Sequence, residues 1–177
     1  MDLNAAEQKR IEAEWSAASL ATLIDDILEE HHEPTKKKLA ELKNFVGEAV
    51  KESTSTCDSL TSLDSAIRGL MMTIKMHAEK EENVLFPMIK RLEAGDSRAD
   101  EFCGGIENPL RVMEKDHREI DLHFERLHRW AEQHRSDRTV EKVRVIFLKL
   151  LHQLEADLKI HMYKEDAILF PRVKALG

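Results

Sequence analysis

The stretch HAEKEENVLFPMIKRL, from His77 to Leu92, returns near the end of the chain as HMYKEDAILFPRVKAL, from His161 to Leu176. Eight of the sixteen positions are identical, and each copy opens on His-x-x-x-Glu and completes Leu-Phe-Pro ten residues after the His. Internal similarity of this kind points to a repeated structural unit.

The match extends outward from both copies. His32 lies 45 residues before His77, and His117 lies 44 before His161. Apolar residues follow at +7 and +10 in each case: Leu39 and Leu42 after His32, Phe124 and Leu127 after His117. The chain reads as two copies of one helical hairpin, residues 20–93 and 107–176, behind a short N-terminal helical arm at residues 1–19, all within a single domain of residues 1–177.

Six glycines and four prolines in 177 residues leave few breaks, which favours long helices. Apolar residues recur at steps of three and four. One stripe runs through Leu20, Ile24, Ile27 and Leu28, then Leu39, Leu42, Val46 and Val50. Pro34 is expected to kink or restart that helix. Leu63, Ile67, Leu70 and Ile74 lead into His77 and Glu81. Leu110, Met113, His117, Ile120, Phe124, Leu127 and Ala131 form the third stripe. Val143, Phe147, Leu150, Leu154 and Leu158 lead into His161 and Glu165. Thr61–Asp64 and Asn108-Pro109 read as helix starts, Pro87 and then Ala94-Gly-Asp-Ser as stop signals of the second helix, and Pro171 sits near the end of the fourth. The fold predicted is all-α, an antiparallel up-down four-helix bundle.

Net charge is −7, which disfavours a nucleic-acid partner. No apolar run approaches the ~18 residues of a membrane span, and the first residues lack the apolar core of a secretory signal. Cys57 and Cys103 are isolated, without metal or disulfide spacing. A cytoplasmic setting is expected.

The stripes carry polar groups where the core should be. A His and a Glu four residues later on a helix lie about 40° and about 6 Å apart, so both can aim at one interior point. Burying them unpaired would cost roughly several kcal/mol; a metal, or a buried His/Glu network, answers that cost. With the two halves paired about a two-fold axis, His32, His77, Glu81, His117, His161 and Glu165 converge. Four imidazoles and two carboxylates suit two transition-metal ions with both carboxylates bridging, and favour iron, manganese or zinc over calcium. His31 is the rival of His32: straight phasing from Leu20 favours His31, the duplication favours His32. Asp166 rivals Glu165, and the register of the first copy favours Glu165. Asp121, one turn after His117, is placed facing inward, as a ligand, an outer hydrogen-bond acceptor or a solvated group. His128 is expected in a core or end layer and His152 in solvent. Glu82 and Lys36–Lys38 are expected to be solvated, Tyr163 to point away from the site, and Met71, Met72 and Met76 to fill core space.

On HHEPTKKKLAEL (31–42), HAEKEENVLFPMI (77–89), MEKDHREI (113–120) and HMYKEDAILFPRV (161–173), the sequence resembles the haemerythrin-like, HHE cation-binding domains over about residues 19–176. Within them it is most similar to the di-iron domain of bacterial iron–sulfur-cluster repair proteins. The resemblance implies two non-haem Fe ions, with Mn or Zn as substitutes, on the six residues above. It implies O2, NO or peroxide as the small reactant, a role in nitrosative or oxidative stress or cluster repair, and a redox or iron–sulfur protein partner. The alternatives are a gas- or iron-sensing regulatory module docking through the Trp15 arm, and a di-iron redox enzyme acting on peroxide or NO. Oxygen carriers of this family have a second His one turn after the third-helix ligand and end on His-x-x-x-x-Asp. Here Asp121 stands in the first place and both Glu165 and Asp166 are available in the second, which favours a repair-type site.

Overall fold

The structure, a computed structural model, describes residues 3–53, 58–96 and 105–176. The described residues are helical, with no strand among them. Cys57 and Cys103 lie outside them. An N-terminal helix, α1 (Ala5–Trp15), starts on Asn4, whose side chain accepts from the N–H groups of Ala6 and Glu7 while Glu7 accepts from the Asn4 N–H. Four helical rods follow. The first is α2 (Leu20–Asp26), a π-helical turn π1 (Ile27–His32) and α3 (Glu33–Glu52). The second is α4 (Asp58–Lys80), π2 (Glu81–Leu85) and α5 (Phe86–Glu93). The third is α6 (Glu107–Gln133). The fourth is α7 (Glu141–Tyr163), π3 (Lys164–Leu169) and α8 (Phe170–Lys174).

The internal prolines widen the rods instead of breaking them. Pro34, Pro87 and Pro171 each stand in the first turn after a π segment. Proline has no N–H to offer the carbonyl four residues back, and its ring crowds that carbonyl. The residue before each proline reaches five back instead: Glu33 N–H to Leu28 O, Phe86 N–H to Glu81 O, Phe170 N–H to Glu165 O. The restart that was one of two expectations at Pro34, and the stop expected at Pro87, are therefore corrected to π turns inside continuous rods; the stop at Ala94-Gly95 holds. Thr61 lies inside α4 and Asn108 inside the first turn of α6, so neither is the N-cap expected of it. The second rod ends at Gly95, at φ 87°, with Asp96 N–H returning to Arg91 O at 3.0 Å. That left-handed residue suits glycine.

Two apolar clusters form the core. One holds Leu39, Leu42 and Val46 with Leu63, Ile67, Leu70, Phe124, Leu127, Phe147 and Leu154. The other holds Leu20, Leu23, Ile24 and Ile27 with Leu85, Phe86, Ile89, Leu110, Met113, Leu169 and Phe170. The stripes are mostly as read, with Leu151 fully buried where Leu150 was expected. Ile11 joins α1 to the second cluster, and Tyr163 Oη donates to Glu12 at 2.6 Å. The Glu93 carboxylate caps α2 across the fold, accepting from Leu20 and Ala21 N–H at 2.6 and 2.8 Å. Between the two clusters lies a layer of buried histidines and glutamates.

Candidate metal centre

The layer is built where the rods carry their π turns. π1 carries His31 and His32, π2 carries Glu81 one helical turn after His77, and π3 carries Glu165 one turn after His161. His117 comes from the regular helix α6. His32, His77, Glu81, His117, His161 and Glu165 are all buried, the two glutamates completely.

Their ligand atoms fall into two overlapping groups, His32–Glu81–His161–Glu165 and His77–Glu81–His117–Glu165, each within 4.8 Å. Both groups share Glu81 and Glu165. The Nε2 atoms of His32 and His77 lie 3.3 and 3.2 Å from Glu81 Oε2, and those of His117 and His161 lie 3.0 Å from Glu165 oxygens. Both Glu81 oxygens, Glu165 Oε2 and the Nε2 atoms of His32, His77 and His117 lack a hydrogen-bond partner among the described residues. Six ionisable side chains buried this way are costly without a charge to share. The donor set, four imidazoles and two carboxylates, fits two borderline transition-metal ions.

Three of the Nδ1 atoms face carboxylates, while His161 Nδ1 has no hydrogen-bond partner among the described residues. His32 Nδ1 is 2.8 Å from Glu82 Oε1, and His117 Nδ1 is 3.0 Å from Asp166 Oδ2. His77 Nδ1 is 3.8 Å from Asp116 Oδ2, which Lys80 holds at 2.6 Å. A carboxylate on the far nitrogen fixes the tautomer and leaves Nε2 as the ligand atom. Glu82 is thus a partner of His32, correcting its expected solvated role, and Asp166 serves His117 where Glu165 points inward. The repeat held the signal for both, since each follows the buried glutamate by one residue. Asp116 was missed altogether. Its repeat counterpart, the residue before His32, is His31, which is buried and stacks on His161 at 5.6 Å and 8°. His31 falls outside both ligand groups.

Electrostatics follow the burial. Burial, and then the neighbouring Glu165, push the Glu81 carboxyl well above the usual range. Burial would raise Glu165 too, but His161 and His117 outweigh it and hold the carboxyl well below its usual range. Burial lowers His32, His77 and His161, and lowers His31 to about 3 with help from His161. His117 goes the other way, its burial outweighed by Asp166 and Glu165, which raise it to about 10.

Other expectations are corrected or met at the surface. Asp121 is exposed and in neither ligand group, because the inward line of α6 passes through His117, Ile120 and Phe124. His128 is half-buried, not in a core layer: it bonds Glu155 at 2.7 Å and stacks on the exposed His152. Lys36 is half-exposed but pairs with Glu33 and Glu82. Met72 and Met76 are 59% and 50% exposed and fill no core. Met71 is half-buried and packs against the first cluster as expected; with Met72 it also lines a cleft of about 630 Å³ between α3 and α4 that reaches His32, His77 and His161. Trp15 is half-buried, with Lys164 Nζ 5.0 Å over its ring.

The Hemerythrin HHE cation binding domain model matches residues 23–173. The chain belongs to the hemerythrin HHE cation-binding family. A probable iron-sulfur cluster repair protein of Haemophilus influenzae is 26% identical over 176 residues, covering 97% of this chain and 73% of that protein. Iron-sulfur cluster repair protein YtfE of Escherichia coli O81 is 29% identical over 173 residues, covering 96% and 73%. No helix among the described residues is long and apolar enough to cross a membrane.

Proposed function

We propose that this hemerythrin-family chain is a non-haem di-iron protein, with His32 and His161 on one ion, His77 and His117 on the other, and Glu81 and Glu165 bridging. The observation that carries it is the pair of overlapping donor groups sharing both buried glutamates. Two irons there would supply redox electrons and open positions for O2, peroxide or NO. The protein's own part is to hold the His32 and His117 imidazoles by their Nδ1 atoms, to push three of the four toward the neutral form, and to exclude bulk water with an apolar cluster on either side. The first cluster takes the later part of the first and third rods and the earlier part of the second and fourth. That alternation supports an antiparallel up-down four-helix bundle with α1 as an arm clamped beside it. The repair-protein relatives support a role in iron–sulfur-cluster repair, with an iron–sulfur protein as partner; nitrosative or oxidative stress as the setting, and the cytoplasm as the place, belong to the same proposal.

The test is metal analysis with an optical spectrum of the aerobically purified protein. Two irons per chain with oxo-bridge bands are expected. One zinc, or no metal after anaerobic reconstitution with iron, would overturn the reading. Mixing the reduced protein with O2 and with NO then reads the reactant.

A further inference from the structure

The α3–α4 cleft is far larger than a diatomic reactant requires. At about 630 Å³ it falls in the range of pockets that hold small organic ligands. Its walls are mostly apolar, among them Leu39, Met71, Ile74 and Leu158, and one end opens onto the His32–His77–His161 side of the centre. Lys43 stands at the other end, eleven residues beyond His32 on the same rod, about 16 Å along a helix axis.

The cations around the cleft are not alike. Lys36 is paired with Glu33 and Glu82, Arg68 with Asp64 at 2.7 Å, and Lys75 with Glu79 at 3.6 Å. Lys43 is half-buried and has no carboxylate within ion-pair distance among the described residues. An ammonium without a counter-charge at the mouth of an apolar groove is complementary to a ligand with an anionic head and an apolar tail. Methionines in the wall adapt to a flexible chain.

We propose that this cleft binds an amphipathic anion, a straight-chain carboxylate, with its head on Lys43 and its tail lying along the groove towards the metal centre. The site stands on the cleft and Lys43 and does not depend on which metal occupies the centre.

The test is calorimetric titration of the purified full-length protein with decanoate, decanol and decylamine. Decanoate is expected to saturate one site, with decanol and decylamine weaker by about tenfold or more, the scale of one charge-assisted contact. Lys43→Glu is expected to weaken decanoate by a similar factor and Lys43→Arg to retain it, both with unchanged helix content and metal content. No saturable decanoate binding, equal binding of decylamine, or an unaffected Lys43→Glu protein would each overturn the proposal. Metal content is read on the same samples. Loss of the di-iron reading with decanoate binding intact leaves this site standing, and the converse separates the two.

Discussion

At the scale of residues, two of the candidate ligands, His32 and His117, are held by a second residue the chain places for them. Glu82 and Asp166 occupy the same place in the two copies and grip His32 and His117 at 2.8 and 3.0 Å. Replacing such a partner typically costs about 10–100-fold in metal affinity. Glu82→Gln and Asp166→Asn are each expected to fall in that range, measured by competition with a chelator, while far-UV circular dichroism stays the same. Protonation sets a second expectation. His117 is raised to about 10, so at neutral pH it holds a proton that a ligated metal displaces. Iron uptake at neutral pH should therefore release the His117 proton, seen as a buffer-dependent heat. A heat independent of buffer ionisation would contradict this assignment of protons.

The same groups set how the metal-depleted protein responds to acid. The unfolded chain takes up histidine protons near 6.5, but the folded chain resists them at His32, His77 and His161, and at His31 down to about 3. Unfolding is therefore favoured as pH drops below 6.5. Glu165, depressed in the fold, adds to the loss as pH falls through its lowered range. His117 opposes it, contributing fully below 6.5 and losing that contribution as pH rises through about 10, and the raised Glu81 opposes it in the same sense; the depressed histidines outnumber the two. The urea midpoint of metal-depleted protein should fall steadily from pH 7 to pH 4, and the drop should be smaller for His31→Leu.

At the scale of elements, the π turns decide the site. Each is paired with a proline that removes one i→i−4 bond, and each carries a member of the buried layer. A five-residue turn rotates whatever follows it relative to a regular helix. Pro87→Ala restores the missing N–H and removes the steric cause of the wide turn. Helix content should be unchanged or slightly raised, while Glu81 loses its alignment and metal occupancy falls. A Pro87→Ala protein with full occupancy would show that packing alone holds the turn. The third rod has no such turn among the described residues, and His117 sits on a regular stripe with Met113, Ile120 and Phe124.

At the scale of the molecule, a polar layer separates two apolar clusters, so a metal bound in that layer and the core around it would stabilise one another. A ligand that binds only the folded state adds about 2.7 kcal/mol at one hundred times its dissociation constant. Chelation should lower the melting temperature by several degrees, at roughly 2–4 °C per kcal/mol for a chain of this size. Ile67→Ala, deep in the first cluster, should cost about 2–5 kcal/mol and leave iron content intact in the folded fraction.

Much of this molecule was written in local sequence. Periods of three and four marked the buried faces because a helix brings such residues to one side, and the repeat marked six inward polar groups because two equal halves must present them together. The preference for His32 over His31 also came from the repeat, against simple helical phasing; both are buried on π1, and His32 is the one within a ligand group. What local reading missed lay across the fold. Glu82 and Asp116 look like surface acids beside a buried neighbour, and only the approach of another rod makes them partners of His32 and His77. Asp121 looked inward by angle, but the packing line of α6 leaves it exposed. Pattern along one helix fixes a direction from its axis. Which neighbour stands in that direction, and at what distance, is settled by how the rods pack, and that is where the outer shell of the centre and the α3–α4 cleft were decided.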